Sequence, residues 1–370
     1  MKTISEIIGG AQALLDIDFN LQKCFEEQLT AQYKTFLHML RILEAAQKSL
    51  YRPYAGIGRK PLQYTPFMRS IWAKSYFGIN KTSDLINRLK NDPNLRLLCG
   101  FEKVPGKASF SRAFNYLSEV NIASETLDSL VKNYHKNSVV YHVCRDSTAI
   151  EARDKRPPKK AAQEEKRGKY PMGRPKKGEN RPKTPPTKKH LLKQQVQESV
   201  EKSLSDLPTN HSYGCKRNAK GNVSFWLGYK LHLDVSDIGF PLSAVISSAS
   251  VSDCHAAIIL EKMTESKVQF CYSLMDCAYD AQVIRSFIES RGRVPIIDFK
   301  KRNNGTSPVL DPAKQERYKI RTTVERAYSY LKENLIPKNI YVKGHKKVSL
   351  VLMSAVLCLA ALRTIQHFIL

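Results

Sequence analysis

Two acidic residues each stand at the end of an apolar, β-rich run of the sequence. Asp146 closes the run SVVYHVCRD, and Asp276 closes the run FCYSLMD. The carboxyl ends of neighbouring strands gather at one edge of an open α/β sheet, where ligands bind. If the two runs form adjacent central strands, we expect the two carboxylates to lie side by side.

A third acid belongs to a polar stretch, YKIRTTVERAYSYLKE, that covers residues 318–333. Tyr318, Arg321, Glu325 and Lys332 follow one another at intervals of three, four and seven residues. At about 100° per residue of a helix they fall within roughly 60° of one another. A different face of the same helix collects the apolar residues Ile320, Val324, Ala327, Leu331 and Leu335. The pattern predicts a helix that packs on a core and presents an acid, two cations and a phenol together, although a surface helix with incidental ion pairs has the same spacing.

Three carboxylates gathered in one place repel each other and need a cation. Hard oxygen ligands with open positions suit Mg²⁺ or Mn²⁺. Two such ions, about 3.5–4 Å apart, can activate a nucleophilic oxygen and stabilise a leaving oxygen at a phosphodiester. We therefore predict that Asp146, Asp276 and Glu325 are metal ligands, with two ions as cofactors.

The cations and the phenol of the same helix suit a phosphate partner. Arg321 precedes Glu325 by one turn and Lys332 follows it by two turns, so both could hold phosphates beside the metal. The planar guanidinium fork of arginine can bind two phosphate oxygens. The Tyr318 hydroxyl could donate to another phosphate oxygen. Such a site would act by positioning and electrostatic stabilisation, without a covalent protein intermediate.

The overall charge also indicates a polyanionic partner. The 370 residues include 60 Lys and Arg against 34 Asp and Glu, a formal charge of +26, with a pI near 9.7. Such an excess favours nucleic acid over an anionic membrane surface. The eight cysteines have no regular spacing, and acids interrupt the N-terminal residues where a signal peptide needs an apolar run, so we expect a cytoplasmic protein with reduced thiols. The apolar stretch at 348–370 is uninterrupted for only about fifteen residues, which favours a buried helix over a membrane span.

Much of the positive charge lies in one segment. Residues 153–189 contain fifteen Lys and Arg against four Asp and Glu, with frequent prolines and few apolar residues. This composition predicts a basic, partly disordered insertion at about 152–220. Its core, GRPKKGENRPK, includes Arg174, Lys176 and Lys177, which we expect to bind phosphates; a Gly-Arg-Pro hook in an A·T-rich minor groove is the less favoured alternative.

The rest of the chain divides into two parts. Residues 1–135 read as helices joined by tight turns, and we predict a helical DNA-binding domain there. Arg112, with Ser109 and Ser111, stands near the start of one helix and could face DNA as in helix-turn-helix modules, although a plain helical bundle has the same turns. Residues 136–370 alternate strands with helices around the insertion, which predicts an α/β layered domain.

The acids and the helix together resemble the DDE transposases of bacterial insertion sequences. The set Asp146, Asp276 and Glu325, with Tyr-x2-Arg-x3-Glu-x6-Lys around the last acid, carries the resemblance, as do DSTAIEA, MDCAYD and the segment 85–117. It implies a ribonuclease-H-like mixed sheet with flanking helices, and a catalytic triad made of those acids. It also implies that Tyr318, Arg321 and Lys332 assist at the transposon-end DNA. Cut-and-paste movement between terminal inverted repeats by a dimer follows from the same resemblance. Only 48 residues separate Asp276 from Glu325, so no large β insertion fits there.

We therefore expect an enzyme that cleaves double-stranded DNA at the ends of an insertion sequence and joins the 3′-hydroxyl to target DNA. A metal-dependent nuclease without strand transfer, and a catalytically inactive DNA-binding regulator, stay as alternatives. Other polar residues have simpler explanations. We expect Asp253 and Asp280 to cap helices, His232 to be packed, and Trp226 to lie in a core or on a sheet face rather than to stack on a base. Asp234, Asp237 and Asp298 are rival carboxylates.

Overall fold

The computed structural model describes residues 29–51, 54, 56, 61–135, 139–153, 188–217, 221–300 and 309–369. In this part of the chain six helices precede the first strand: α1 (Ala31–Ala46), α2 (Thr65–Tyr76), α3 (Thr82–Asn91), α4 (Pro93–Leu98), α5 (Lys107–Glu119) and α6 (Ile122–His135). Asp92 caps α4 by accepting a hydrogen bond from the Leu95 amide at 2.9 Å, and Pro93 takes the first helical position. The helical character predicted for this region is confirmed over the described residues.

Six strands form one mixed sheet: β1 (Val139–Glu151), β2 (Ser212–Arg217), β3 (Val223–Val235), β4 (Pro241–Ser248), β5 (Gln269–Met275) and β6 (Val294–Ile297). β1 lies at the centre, antiparallel to β3 on one side and parallel to β5 on the other, and β6 extends the parallel side. β2 and β4 both pair with β3 on the side away from β1, β2 with its first half and β4 with its second half. The predicted mixed sheet is confirmed.

Helices cover both faces of the sheet. In the described chain after β1 the α-helices are α7 (Lys188–Gln197), α8 (Val200–Asp206), α9 (Cys254–Glu265), α10 (Gln282–Ser290), α11 (Pro312–Tyr318), α12 (Thr322–Tyr330) and α13 (His345–Thr364). The turn after α10 uses Gly292 at φ +72°, a conformation that residues with a Cβ rarely adopt, so this glycine allows the chain to leave the helix.

The first strand continues past the residue at which the sequence predicted its end. Parallel pairing with β5 stops at the Cys144–Leu274 pair, but antiparallel pairing with β3 runs on from Asp146–Leu233 to Glu151–Gly228. Asp146 therefore lies inside β1, because β5 stops pairing with β1 before this residue whereas β3 stays paired with β1 beyond it. The prediction that the acid closes the strand was wrong, although it does mark the end of the parallel pairing.

Part of the predicted insertion is regular structure. Residues 188–217 form α7 (Lys188–Gln197), α8 (Val200–Asp206) and the edge strand β2. The Lys262 ammonium of α9 donates to the carbonyl oxygens of Gln195, Val196 and Glu198, and so satisfies the end of α7. This half of the predicted insertion is therefore regular structure, and the partial disorder stays a prediction. Arg174, Lys176 and Lys177 lie outside the described residues.

The helix α13 joins the helical region to the sheet. It packs against α1, α2, α5 and α6 and also against β4, and it belongs to an apolar core that spans both regions. The stretch His345–Phe368 is long and apolar enough to cross a membrane, but 83% of its most apolar window is buried inside the protein. Burial on all sides explains why this helix is apolar all round.

Candidate active site

Asp146 and Asp276 come together where the two central parallel strands part. Each acid follows the last parallel pair, Cys144–Leu274, by two residues, so that Asp146 lies within β1 and Asp276 directly after the end of β5. Asp146 Oδ1 accepts a hydrogen bond from the Ser147 amide at 2.7 Å. Asp276 Oδ1 accepts from the Ala278 amide at 3.0 Å and caps the 3₁₀ turn Cys277–Tyr279. The expected side-by-side placement of the two carboxylates therefore follows from the register of the strands.

The helix that carries Glu325 is tied directly to the strand that carries Asp146. The Tyr328 hydroxyl of α12 donates to the carbonyl oxygen of Asp146 at 2.7 Å and contacts that of Leu231 at 3.0 Å. A buried tyrosine needs such a partner for its hydroxyl. Sequence reasoning did not single out Tyr328, although its place within the apolar face of a polar helix was a usable signal. This contact fixes the height of Glu325 above the sheet.

Arg321 joins the third acid to the first. Its Nη2 donates to Glu325 Oε1 at 2.5 Å, and its Nη1 lies 3.7 Å from Asp146 Oδ2. The guanidinium also lowers the pKa of Asp276, although burial outweighs this effect. Arg321, predicted to hold a phosphate, thus also neutralises the acids of its own site.

The electrostatics of the two aspartates favour a bound cation. The pKa of Asp146 is raised to about 6, chiefly by burial and also by the negative charges of Asp276 and Asp253. Burial likewise raises the pKa of Asp276, and Asp253 and Asp298 add to that effect. Desolvated carboxylates that repel one another are stabilised when a positive charge enters between them.

The donor set fits a hard divalent cation. All three proposed ligands are carboxylates, the oxygen donors that Mg²⁺ and Mn²⁺ prefer. Within the described ranges no group of three acidic, histidine or cysteine side chains is already arranged around one point as a metal site. Glu325 is bonded to Arg321 instead, so this glutamate would have to exchange the guanidinium for the ion.

Tyr318 and Lys332, the other two polar residues of the helix, lie in different surroundings. Tyr318 is half-buried beside Arg321, whose guanidinium carbon lies 5.6 Å from the ring centre. Burial raises the pKa of Tyr318 to about 12, so its hydroxyl keeps its proton at neutral pH and can donate. Lys332 belongs to the π turn Leu331–Leu335, and the charges that act on it are Lys216 and Glu151. The 3₁₀ turn Lys319–Arg321 and this π turn break the regular helix spacing, and Lys332 faces the far end of β1.

Two carboxylates that were expected to cap helices have other roles. Asp253 precedes α9 without capping it, and its Oδ1 accepts from the Ser147 hydroxyl at 2.8 Å and from Lys230 Nζ at 3.0 Å. Asp280 binds the Arg285 guanidinium, while Ala281 occupies the N-cap of α10. Both capping predictions were wrong, because nearby cations compete for these carboxylates.

A buried ion network lies behind the site on the opposite face of β1. The Arg145 guanidinium donates to both carboxylate oxygens of Asp234 at 2.7 Å and to Glu261 at 2.9 Å. The Thr264 hydroxyl donates to Asp234 as well, at 2.7 Å. Sequence reasoning missed this network. The available signal was the alternation of a strand, which turns Arg145 away from Asp146 and into the other layer.

Three further residues that the sequence singled out lie outside the acid cluster. His232 is fully buried, contacts the Ser247 hydroxyl at 2.8 Å, and has its pKa lowered to about 4 by burial, which confirms the packed interpretation. Trp226 is buried, as predicted, and its Nε1 donates to the Tyr229 carbonyl at 3.3 Å. Arg112 is exposed on α5. Its role in DNA binding stays a prediction.

Two family models match the chain. Residues 141–360 match the family described as Transposase DDE domain, and residues 22–116 match the family described as Transposase domain (DUF772). No curated protein and no solved structure gives a match. The first model covers more than half of the chain and spans the central strand, both aspartates and the Glu325 helix, which gives the sheet a ribonuclease-H-like identity. The chain therefore belongs to the DDE transposases of insertion sequences.

Proposed function

We propose that this transposase cleaves DNA at the ends of an insertion sequence and joins the freed 3′-hydroxyl to target DNA, with Asp146, Asp276 and Glu325 as its catalytic acids. One observation carries the proposal. Two partly buried aspartates lie at the parting of the central parallel strands, and a glutamate reaches the same place through Arg321. A protein that only binds DNA gains nothing from clustered acids beside phosphate.

The three acids would hold the divalent cations that DDE transposases generally require. When bound, such ions supply positive charge for the attacking and leaving oxygens of a phosphodiester. Arg321 stabilises the acids until the cation binds. The cation would then replace the guanidinium at the acids, and the guanidinium would be free to hold a phosphate oxygen. Tyr318, which stays protonated, donates its hydroxyl to another phosphate oxygen.

The reaction would proceed in two displacements at phosphorus. In the first, a water oxygen bonds to the phosphorus and the bond from phosphorus to the 3′ oxygen breaks, which leaves a 3′-hydroxyl on the element end. In the second, that hydroxyl attacks a phosphorus of target DNA and displaces a target 3′ oxygen. The protein would contribute position and charge to both steps.

Other parts of the chain would supply DNA contacts. Residues 1–135 form a separate functional part in this proposal and read the terminal inverted repeats, with Arg112 at the DNA. The insertion at about 152–220 binds phosphates through Arg174, Lys176 and Lys177, so affinity falls with salt. Lys332 adds a further phosphate contact. The active form is a homodimer on DNA, in the cytoplasm and on the nucleoid.

A cleavage and joining assay tests the proposal. Purified protein is incubated with a plasmid that carries the gene's own flanking DNA, with Mg²⁺, with Mn²⁺, or with a chelator. Glu325→Ala is run in parallel, and Glu333→Ala, an exposed glutamate eight residues further along the helix, serves as the matched control.

Metal-dependent cuts at the flanks, with joined products that disappear only in Glu325→Ala, are expected. Cuts without joining would favour the alternative of a nuclease. Tight binding without cuts under any metal would favour the inactive regulator and would contradict the proposal.

A further inference from the structure

The segment 312–321, here called the Arg321 segment, runs through α11 and the 3₁₀ turn Lys319–Arg321 and has no fully buried residue. Tyr318 and Ile320 pack against the core but stay partly exposed. Most helical stability in proteins comes from the packing of an apolar face. Polar contacts with the sheet must therefore carry much of the placement of this segment, and Arg321, which contacts two of the proposed ligands, stands at its end.

The Arg321 segment follows one face of β1. Three alternate residues of the strand form this face: His142, Cys144 and Asp146. Arg317 Nη1 lies 3.3 Å from Nε2 of the first residue. The thiol of the second donates to the carbonyl oxygen of Ile320 at 3.5 Å, and Arg321 Nη1 lies 3.7 Å from Oδ2 of the third. The contact between Arg317 and His142 is thus the outermost of three contacts that align the segment with the strand.

Hydrogen-bond chemistry assigns the tautomer of His142. An arginine guanidinium can only donate, so His142 Nε2 accepts from Arg317 and carries no proton. The proton of the neutral ring is then on Nδ1, which donates to Asp237 Oδ1 at 2.6 Å. The imidazole therefore joins an acid of the turn between β3 and β4 to a cation of α11, and each ring nitrogen has its own partner.

Asp237 is held by the backbone of β1 as well as by the imidazole. Its Oδ2 accepts hydrogen bonds from the amides of Tyr141 and His142, at 3.2 Å each. Pairing between β1 and β3 starts only at Cys144–Val235, so the Asp237 carboxylate takes the place of β3 beside this part of the strand. A carboxylate with three donors has a fixed position, and it fixes the orientation of the His142 ring.

Arg317 is oriented by a ring and an imidazole rather than by an acid. Tyr272 is the register partner of His142 on β5, and the two rings stack with 5.0 Å between their centres. The Arg317 guanidinium carbon lies 4.4 Å from the centre of the Tyr272 ring, where the face of the ring attracts a cation. The neighbouring acid, Glu316, pairs with Lys319 instead.

We propose that His142 and Arg317 are positioning residues of the transposase, whose contact keeps Arg321 between Asp146 and Glu325. The inference rests on the proposed function, in which Arg321 neutralises the acids before the cation binds and holds a phosphate oxygen afterwards. When the contact is lost, Arg321 should compete less well with a cation and hold the phosphate less well. Cation binding should therefore tighten while cleavage slows.

Two substitutions of His142 separate this role from a structural one. His142→Gln keeps a side-chain oxygen near the place of Nε2, which can accept from Arg317. His142→Asn keeps an amide near the place of Nδ1, which can donate to Asp237 but does not extend to Arg317. Both variants lose the stacking on Tyr272, so they are matched in that respect. A positioning role predicts an effect of His142→Asn, whereas a structural link through Asp237 predicts an effect of His142→Gln.

The first readout is Mn²⁺ binding without DNA, measured by paramagnetic resonance, so it does not depend on cleavage. His142→Asn and Arg317→Gln should each tighten Mn²⁺ binding about threefold, and His142→Gln should change it less than about twofold. In an Arg321→Gln background neither substitution should tighten binding further, because the residue through which they act is absent. Lys314→Gln, a cation of α11 that pairs with Asp311, is the matched control and should change nothing.

The second readout is the single-turnover rate of Mg²⁺-dependent cleavage at saturating element-end DNA, with the Kd for DNA measured in a chelator. His142→Asn and Arg317→Gln should slow cleavage about tenfold at unchanged Kd, because a misplaced group lowers the rate without loss of binding. Urea denaturation checks that each variant is folded. Arg317 is exposed, so Arg317→Gln keeps the test available if a His142 variant does not fold.

Unchanged Mn²⁺ affinity in both His142→Asn and Arg317→Gln would overturn the inference. Weaker DNA binding by Arg317→Gln at unchanged Mn²⁺ affinity would overturn it too, and would make Arg317 a phosphate contact. An effect of His142→Gln without one of His142→Asn would leave only the structural link. If the expected Mn²⁺ pattern appears but the wild type does not cleave DNA, the inference holds and the proposed function fails. Normal cleavage by the wild type and by both variants, with Mn²⁺ binding unchanged, gives the reverse.

Discussion

Arg145 and Asp146 are neighbours on one strand, but the charge of Arg145 is fully neutralised and that of Asp146 is not. Arg145 is fully buried, and its guanidinium is neutralised by Asp234 and Glu261 on adjacent elements. Asp146 is only partly buried on the other face, where the Arg321 guanidinium lies 3.7 Å from its carboxylate and the charges of Asp276 and Asp253 act on it. One face of β1 thus carries a completed ion network, and the other carries a charge cluster without its full complement of cations.

The difference separates a structural charge from a functional one. A buried ion network with every partner present can hold four elements in register, here β1, β3, α9 and, through the Ser273 hydroxyl that donates to Glu261, β5. A cluster of acids that lacks enough neutralising partners favours the binding of a cation. The network also fixes the backbone at Asp146, so the first face supports the second.

The largest effect is expected when the completed network is broken. Arg145→Met leaves Asp234 buried without a cation and Glu261 with Arg293 as its remaining cation, so the free energy of unfolding should fall by about 3–5 kcal/mol, as measured by urea denaturation. Replacing Arg145, Asp234 and Glu261 together by Met, Leu and Leu should recover most of this loss. If the single Arg145→Met variant were as stable as the wild type, the Arg145 network would not stabilise the fold as claimed.

On the Asp146 face of β1, removal of the charge is expected to stabilise the folded protein. Burial raises the pKa of Asp146 to about 6, so its charged form is disfavoured in the folded protein relative to the unfolded chain. Without metal, Asp146→Asn should therefore be about 1–3 kcal/mol more stable than the wild type at pH 8. The gain should shrink as pH falls through about 6 and vanish below about 4. Urea denaturation in a chelator at three pH values checks this, and a destabilised variant at pH 8 would contradict it.

Arg321 should compete with the cation for the acids. Because its guanidinium contacts Asp146 and Glu325, Arg321→Gln should tighten Mn²⁺ binding by a few-fold to about tenfold, as measured by paramagnetic resonance, while slowing DNA cleavage. Arg326→Gln, an exposed arginine of the same helix whose guanidinium contacts Thr323, is the control. Weaker Mn²⁺ binding in Arg321→Gln would show that the guanidinium instead supports the metal site.

The smallest effect is expected in the pH dependence of Mn²⁺ binding. A carboxylate must lose its proton to bind a cation, so Mn²⁺ affinity should fall by up to about tenfold per pH unit below about 6, the raised pKa of Asp146. The charge of Asp253 contributes to that raised pKa. Asp253→Asn should therefore move the midpoint of the titration to lower pH. A midpoint near 4 in the wild type would mean that Asp146 is not a ligand.

The sequence predicted the elements better than it predicted their ends and partners. The strands that carry or precede Asp146 and Asp276 were identified from apolar runs that end in acids, because burial in a sheet requires such runs. The continuation of β1 to Glu151 depends on β3, a strand about eighty residues later in the chain, and nothing local to Asp146 encodes it.

The site shows the same limit at the level of single side chains. Helical periodicity brought Tyr318, Arg321 and Glu325 to one face, and the structure keeps Arg321 between two acids. Lys332 departs because a π turn shifts the last residues of the helix, and one extra residue in a turn cannot be read from spacing. The roles of Arg145 and Asp253 depend on which residues stand opposite them across the sheet, which is tertiary information.

The most direct test of the central claim is the single-turnover rate of Mg²⁺-dependent cleavage of element-end DNA by Asp146→Asn and by Asp253→Asn. Both residues are acids of the same neighbourhood, but only Asp146 is a proposed ligand, whereas Asp253 is held by Ser147 and Lys230. We predict a loss of at least about 10³-fold for Asp146→Asn and less than about tenfold for Asp253→Asn, with both variants folded. Cleavage by Asp146→Asn within tenfold of the wild type would contradict the proposed catalytic centre.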